Sequence, residues 1–86
     1  MALNARRVET LKAPGRYGDG QGLYLQITKP GTKSWLFRYE RNGRERWMGL
    51  GPFHTISLQE ARERARKARQ QLLDGRDPQL WNRPKP

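Results

Sequence analysis

The sequence contains no cysteine and a single histidine, His54. Disulfide bonds and thiolate metal sites are therefore excluded, and one imidazole cannot hold a metal ion without further ligands. We accordingly expect neither a metal site nor a cofactor, and we interpret His54 as a loop residue rather than a catalytic base.

Long apolar segments are also missing. No run in the chain approaches the roughly 20 apolar residues that span a membrane. The first ten residues lack the apolar centre of a signal peptide. We expect a cytoplasmic protein without a membrane partner.

Acidic residues are few. The 86 residues include 8 Asp and Glu against 18 Lys and Arg, which gives a net charge of +10 with His neutral. Such an excess attracts polyanions, nucleic acid first and anionic membrane second. The charge is carried mostly by arginine, whose guanidinium bonds bidentately to phosphate and to guanine. The charge balance therefore favours nucleic-acid binding.

The same scarcity of acids argues against an enzyme. No acid pair has an accompanying base, and Asp19 and Asp77 lie beside glycine or proline, where we interpret them as turn residues. The glycine-rich residues 18–22, interpreted as a flexible loop, precede a strand rather than a helix N-terminus, so they lack the geometry of a nucleotide cradle. We predict no catalytic residue in this chain.

Two helices are indicated, one near each end of the sequence. Asn4 can cap a short helix or turn from residue 5, with Leu3 and Val8 as its hydrophobic staple. Ser57 and Glu60 form a capping box ahead of a second helix, which we expect to end at Gly75 and Asp77-Pro78. The second helix carries a small-sided apolar stripe, made of Leu58, Ala61, Ala65, Ala68 and Leu72.

Three segments between the helices alternate as half-buried strands do: residues 23–28, 34–41 and 44–50. Asn42-Gly43 is typical of a type I′ turn, which joins the last two strands as a hairpin. The predicted fold class is α+β, with a three-stranded antiparallel sheet packed on one C-terminal helix after a short N-terminal helix or turn. The helix is expected to cover Leu23, Leu25, Ile27, Trp35, Phe37, Tyr39, Met48 and Leu50.

The opposite sheet face is left without a covering helix, and exposed aromatic and arginine side chains there indicate a partner. An antiparallel sheet can enter the DNA major groove and place alternate side chains on base edges. Arg38 suits guanine and Gln26 suits adenine, while Arg41 and Arg44 flank the hairpin turn, where we expect phosphate contacts. The candidate DNA-binding residues are Tyr24, Gln26, Thr28, Lys33, Arg38, Arg41, Arg44 and Trp47.

The second helix also carries a cluster of positive residues, which we interpret as a solvated face rather than a recognition helix. Glu60 with Arg64, and Glu63 with Lys67, are predicted ion pairs, and Arg62 is expected to approach the sheet edge. The cluster comprises Arg62, Arg64, Arg66, Lys67 and Arg69.

Four motifs, in order, resemble the arm-type DNA-binding domain of phage and prophage tyrosine integrases. Residues 19–25 (D-G-Q-G-L-Y-L) resemble its D-G-x-G-L-x-L opening, and residues 31–39 (G-T-K-S-W-L-F-R-Y) its G-x-K-x-W-x-x-R-Y strand. Leu-Gly at residues 50–51, followed by S-L-x-x-A-R at residues 57–62, resembles its helix start, and G-x-D-P at residues 75–78 its exit. Each motif is weak alone, but the ordered set is specific.

The resemblance implies a domain over residues 1–78 that binds double-stranded DNA at arm-type sites through the major groove, and so positions an integrase for site-specific recombination. Residues 79–86 are then a linker or cut end before a core-binding and catalytic region that this chain lacks. Other integrase protomers are implied partners of the full-length protein. Two alternatives remain open at this stage: an RNA-binding module and a protein-interaction module with a basic-aromatic face.

Overall fold

A computed structural model describes residues 3–75, which form two helices and a four-stranded antiparallel sheet with its strands in chain order. The elements are α1 (Ala5–Thr10), β1 (Gly15–Gly20), β2 (Leu23–Ile27), β3 (Lys33–Arg41), β4 (Arg44–Pro52) and α2 (Leu58–Leu73). The predicted α+β class is confirmed, but the sheet has four strands rather than three. The predicted exit at Asp77-Pro78 and the predicted linker 79–86 lie outside the described residues.

The additional strand is β1, which the sequence did not predict; its second half, residues 18–20, belongs to the predicted flexible loop. It pairs with β2, so that Arg16 lies opposite Gln26 and Tyr17 opposite Leu25. The strand escapes a pattern search because three of its six residues are glycine and Tyr17 is its only large apolar side chain. A register shift near its end, between Gly18 and Gly20, further blurs the alternation.

The turn between β1 and β2 requires glycine at residue 22. Gln21 and Gly22 both have positive φ, 55° and 90°. A Cβ atom on Gly22 would lie 2.7 Å from the backbone oxygen of Arg38 and 2.8 Å from the Phe37 ring. The hairpin can therefore approach β3 closely only because residue 22 has no side chain.

The predicted β3–β4 hairpin is confirmed. Asn42 and Gly43 have φ of 56° and 75°, as a type I′ turn needs, and Arg41 pairs with Arg44 across it. That register places Phe37 opposite Met48 and Arg38 opposite Trp47. The turn thereby determines which side chains of β4 join the core and which lie on the other face.

The Trp35 side chain lies at the centre of the core, completely buried, and its indole Nε1 donates a 2.7 Å hydrogen bond to the backbone oxygen of Ile56. Gly51 lets the connection after β4 approach, since a Cβ atom there would lie 2.2 Å from Cδ1 of Ile56. All eight core residues predicted on the sheet are buried: Leu23, Leu25, Ile27, Trp35, Phe37, Tyr39, Met48 and Leu50.

Helix α2 packs on the core through its predicted stripe. Leu58, Ala61, Ala65 and Ala68 are buried, and short alanine side chains allow a helix to lie close to a sheet. The Ser57 hydroxyl oxygen accepts a 3.2 Å hydrogen bond from the Glu60 amide, so the predicted N-cap is present. Gly75, with a φ of 78°, follows the helix end, as expected for a glycine C-cap.

Helix α1 begins as predicted, with Asn4 Oδ1 accepting a 2.8 Å hydrogen bond from the Arg7 amide. Leu3 and Val8, the predicted staple, are both buried in the core. At the helix end, the Lys33 ammonium donates to the backbone oxygens of Val8 at 2.9 Å and Glu9 at 3.1 Å. A cation at a helix C-terminus stabilises its unpaired carbonyl groups.

Asp19 connects α1, β1 and α2, and its interpretation as a turn residue is wrong. Its carboxylate accepts two 2.9 Å hydrogen bonds from Arg62 and a 2.8 Å bond from the Leu3 amide. Arg62 also donates a 2.8 Å bond to the Leu3 oxygen, which confirms that it approaches the sheet edge. The Asp19 side chain is 7% exposed, and the Arg62 hydrogen bond, foremost among several causes, lowers the pKa of its carboxyl group.

Replacing Asp19 with asparagine should lower the free energy of unfolding by about 1–3 kcal/mol at neutral pH, because it removes a charge-assisted pair. Since the folded-state pKa of Asp19 is lowered, its contribution is complete above the unfolded pKa of about 3.9 and is lost as pH falls through the folded value. Urea unfolding across the acid range should show the difference between wild type and Asp19→Asn shrinking toward low pH.

Glu63→Gln is the matched control for this prediction. Glu63 also forms a carboxylate–arginine pair, with Arg66 at 2.6 Å, but both side chains are 50% exposed. Exposed pairs contribute roughly 0–1 kcal/mol, so this variant should unfold close to wild type. Equal loss of stability in the two variants would contradict the structural role given to Asp19.

Candidate nucleic-acid interface

Both described helices pack on one side of the sheet, so the other side has no covering element among residues 3–75. The alternation of the strands places one set of side chains there. We call this surface the open face; it is formed by Arg16, Tyr24, Gln26, Leu36, Arg38, Glu45 and Trp47. Leu36, Tyr24, Gln26, Arg38 and Trp47 are each partly buried, so the open face is a packed surface rather than a row of separate side chains.

The aromatic part of the open face joins β1, β2 and β4. The rings of Tyr24 and Trp47 meet edge to face, with centroids 5.1 Å apart and planes inclined by 65°. The Arg16 guanidinium carbon lies 4.1 Å from the Trp47 ring centroid, and Arg16 Nε donates a 3.0 Å hydrogen bond to Gln26 Oε1. Cation–π and aromatic contacts of this kind contribute about 0.5–1.5 kcal/mol each and restrict side-chain motion.

The charged part of the open face is centred on Arg38. Its Nε atom donates to Glu45 Oε1, and its Nη2 atom lies 3.4 Å from Glu40 Oε1. The Arg38 side chain is 36% exposed, against 50% for Glu45 and 66% for Glu40. The hydrogen bond from Arg38 lowers the pKa of Glu45 and the same bond raises the pKa of Arg38, so both groups are charged at neutral pH.

Four of the eight candidate residues lie together on the open face: Tyr24, Gln26, Arg38 and Trp47. Thr28 follows β2 at one end of the sheet, where its hydroxyl oxygen accepts a 3.2 Å hydrogen bond from the Thr32 amide. The predicted assignment of faces is therefore confirmed for the strand residues, while DNA contact by any of these side chains stays a prediction.

The other three candidates lie elsewhere. Lys33 pairs with Ile27 on the covered side of the sheet, and its ammonium is bonded to the end of α1. Arg41 and Arg44 pair with one another at the hairpin tip. Alternation along the strands puts them on the same side as the buried Phe37 and Tyr39, opposite to the side of Arg38. The structure places all three outside the open face, with the two tip arginines at its rim.

Two members of the open face, Arg16 and Glu45, are not among the predicted DNA-binding residues. Arg16 was overlooked because no strand was predicted for residues 15–20. The signal available was its spacing from Gly22, which puts it opposite Gln26 once the turn is recognised. Glu45 lies on a predicted strand, but its position beside Arg38 follows only from the hairpin register.

The positive residues of α2 are mostly bonded to the rest of the fold. Arg62 holds Asp19, Arg64 donates to the Leu50 oxygen at 3.0 Å, and Arg69 donates to the Gln21 oxygen at 3.2 Å. Arg62 and Arg64 remain 46% and 49% exposed, in keeping with the predicted solvated face, but all three arginines also fasten α2 to the sheet, which the sequence indicated only for Arg62.

The two predicted ion pairs on α2 have different outcomes. Glu60 and Arg64 are 3.9 Å apart, as the i,i+4 spacing predicts. Glu63 instead bonds Arg66, three residues further along the helix. The hydrogen bond from Arg66 is the main cause of the lowered pKa of Glu63, and Lys67 adds a smaller electrostatic effect.

Neither a membrane-spanning helix nor a metal-binding group was found in the described part of the chain. No helix there is long and apolar enough to cross a membrane. No group of three or more His, Asp or Glu side chains there is arranged to hold a metal ion.

Comparison with known proteins identifies relatives over nearly the whole chain. The chain is 38% identical over 79 residues to the integrase of Shigella phage Sf6 and to the prophage integrase IntS of Escherichia coli K12, and 36% identical over 85 residues to the integrase of Enterobacteria phage P4. These alignments cover 88–93% of the chain and 19–20% of each relative. The chain thus spans about a fifth of the length of these relatives.

A family model described as an arm DNA-binding domain matches residues 3–84. The match includes all six helices and strands of the fold and every residue of the open face. It also includes the ordered motifs in which the sequence resembles integrase arm-type domains. The chain belongs to the arm DNA-binding domain family.

Proposed function

We propose that this chain binds double-stranded DNA at arm-type sites, with its open face in the major groove, and so positions an integrase for site-specific recombination. The observation that carries the proposal is the open face itself, a packed sheet surface with Arg38 at its centre and no helix over it among residues 3–75. The family and the integrase relatives supply the class of ligand.

The dimensions of the open face suit a major groove. Neighbouring strands are about 4.8 Å apart, so β2, β3 and β4 together span about 10 Å, against a groove about 12 Å wide. Arg38 on the middle strand faces the groove floor in this docking. Its guanidinium suits guanine, Gln26 suits adenine, and Tyr24 and Trp47 suit thymine methyl groups or sugars.

The centre and the rim of the open face differ in charge, and we assign them different roles in DNA binding. At the centre of the open face, Arg38 is balanced by Glu45 and Glu40. At the rim, Arg41 and Arg44 flank the hairpin tip and lie opposite one another. We assign phosphate contacts to the rim and base contacts to the centre, the division that is general in protein–DNA interfaces.

The alternatives are less well supported. Binding of unpaired RNA bases depends on aromatic faces available for stacking, whereas the Trp47 ring already has the Arg16 guanidinium over it. A protein-interaction role has no support from the family. We further propose that residues 1–78 form the domain and that strand exchange is carried out elsewhere in a longer cytoplasmic integrase, together with other protomers.

Affinity for duplex DNA should fall steeply with salt, because each neutralised phosphate releases counterions. The logarithm of the binding constant should fall by about 0.9 per phosphate contact for each tenfold rise in salt. If Arg41 and Arg44 each contact a phosphate, the double variant Arg41→Ala/Arg44→Ala should lower this slope by about 1.8. Fluorescence anisotropy of a labelled duplex over a salt series measures both slopes.

The matched control removes two charges from α2, as Arg66→Ala/Lys67→Ala. If the rim contacts phosphate, the α2 variant keeps most of the wild-type slope. Binding that does not respond to salt at all would refute the electrostatic basis of the proposal.

Arg38→Ala should weaken binding to a preferred duplex by about 1–3 kcal/mol and narrow its advantage over a scrambled duplex, since a bidentate arginine–guanine contact contributes that much discrimination. The preferred duplex can be selected from a library with a randomised central segment. Binding of both duplexes is then measured at one fixed salt concentration.

Arg66→Ala provides the comparison for Arg38→Ala, because it removes the same charge from the exposed side of α2. It should change affinity little and equally for both duplexes. Loss of discrimination in Arg66→Ala with full discrimination in Arg38→Ala would mean that α2, not the sheet, recognises the bases.

A further inference from the structure

We infer that Glu45 is a positioning residue for DNA recognition: it holds Arg38 by the Nε atom so that the terminal fork of the guanidinium is presented to guanine. The inference rests on the proposed function, since it concerns the same surface and the same ligand. It implies that the open face prefers guanine. It also explains why an acidic residue lies on a surface that is proposed to bind the negatively charged DNA.

The Arg38 guanidinium is held at its Nε atom, while its two terminal nitrogens form a separate fork. Nε donates to Glu45, whereas the contact of Nη2 with Glu40 is long, at 3.4 Å. A guanidinium is planar and rigid, so fixing Nε fixes the plane in which Nη1 and Nη2 lie. Those two nitrogens form the fork that bonds O6 and N7 of guanine.

Glu45 is itself held in place. A hydrogen bond from the Trp47 side chain contributes to lowering its pKa, and Arg16 adds an electrostatic contribution. Trp47 is in turn packed against Tyr24 and lies beneath the Arg16 guanidinium. Trp47 thus links the carboxylate that orients Arg38 to Tyr24 of β2 and Arg16 of β1, although Glu45 is 50% exposed.

An acid at this position carries an electrostatic cost for DNA binding. A carboxylate on a DNA-facing surface repels phosphate and lowers affinity for every sequence. Discrimination, however, is the difference between the affinities for the preferred and the other sequences. It increases when binding to other sequences is weakened, as well as when binding to the preferred sequence is strengthened. A residue that orients Arg38 while opposing non-specific contact improves discrimination in both ways.

Glu45→Ala and Glu40→Ala form a matched pair for the test, because each removes one exposed carboxylate beside Arg38. The probe is a duplex selected by the wild-type 86-residue chain from the randomised library. Each guanine in it is replaced in turn by 7-deazaguanine, which keeps base pairing but lacks the N7 acceptor. For the wild type, replacement at one guanine should weaken binding about tenfold, because the bidentate contact loses its N7 hydrogen bond and keeps only the bond to O6.

Both variants should bind a scrambled duplex more tightly than wild type, since each loses a repulsive charge. Only Glu45→Ala should lose the sensitivity to 7-deazaguanine, to about threefold or less, because a freely rotating arginine loses more entropy on forming the contact. Glu45→Gln, which keeps an acceptor for Nε, should recover part of the sensitivity. Circular dichroism checks that each variant is folded.

A double-mutant cycle separates an effect through Arg38 from a direct effect of Glu45. In an Arg38→Ala background, Glu45→Ala should cause no further loss of sensitivity to 7-deazaguanine. In the unbound protein, the Arg38 Nε–H resonance in an NMR spectrum should shift in Glu45→Ala and remain in place in Glu40→Ala. That spectroscopic readout does not depend on DNA.

Several outcomes would overturn the inference. Equal sensitivity to 7-deazaguanine in Glu45→Ala and Glu40→Ala would mean that Glu45 acts only through its charge. Tight wild-type binding without sensitivity at any guanine would refute recognition of guanine N7 while leaving duplex binding intact. Failure of the wild type to bind any duplex in the library would instead refute the proposed function.

Discussion

The burial of Trp35 determines the arrangement of the rest of the fold. Its indole N–H needs a partner inside the core, and it finds one in the backbone oxygen of Ile56, just before α2 begins. That bond brings the connection after β4 back over the sheet, so α2 covers the face to which Trp35 belongs. Because side chains alternate along β3, Leu36 and Arg38 then lie on the uncovered face.

Sequence patterns were informative where a local rule and the core agreed. The Asn42-Gly43 turn and the alternation around Trp35 predicted two strands, their pairing and their covered face. β1 was missed because glycines replace the side chains that would show a period of two, and Arg16 was missed with it. The partner of Arg38 was not predictable either, since Glu40 and Glu45 both lie within reach once the hairpin register is known.

Several of the side chains that give the net charge of +10 are also bonded within the fold. Arginines 62, 64 and 69 fasten α2 to the sheet, Lys33 bonds the end of α1, and Arg38 is balanced by carboxylates. Hydrogen bonds to backbone oxygens leave the charges of Lys33, Arg64 and Arg69 intact, so these side chains are held in place and still contribute to the attraction of a polyanion.

The contact among Leu3, Asp19 and Arg62 also has a kinetic meaning. It joins residues 16, 43 and 59 positions apart in the sequence, so it cannot form before α2 has docked on the sheet. Long-range contacts of this kind close large loops, whose entropic cost is met only late in folding. Helix α1 and strand β1 are short and poor in apolar residues, so this contact adds to the β1–β2 pairing and to the burial of Leu3 and Val8 in attaching them to the fold. Detachment of α2 would therefore remove at once the bonds that Arg62 makes to Asp19 of β1 and to Leu3 ahead of α1.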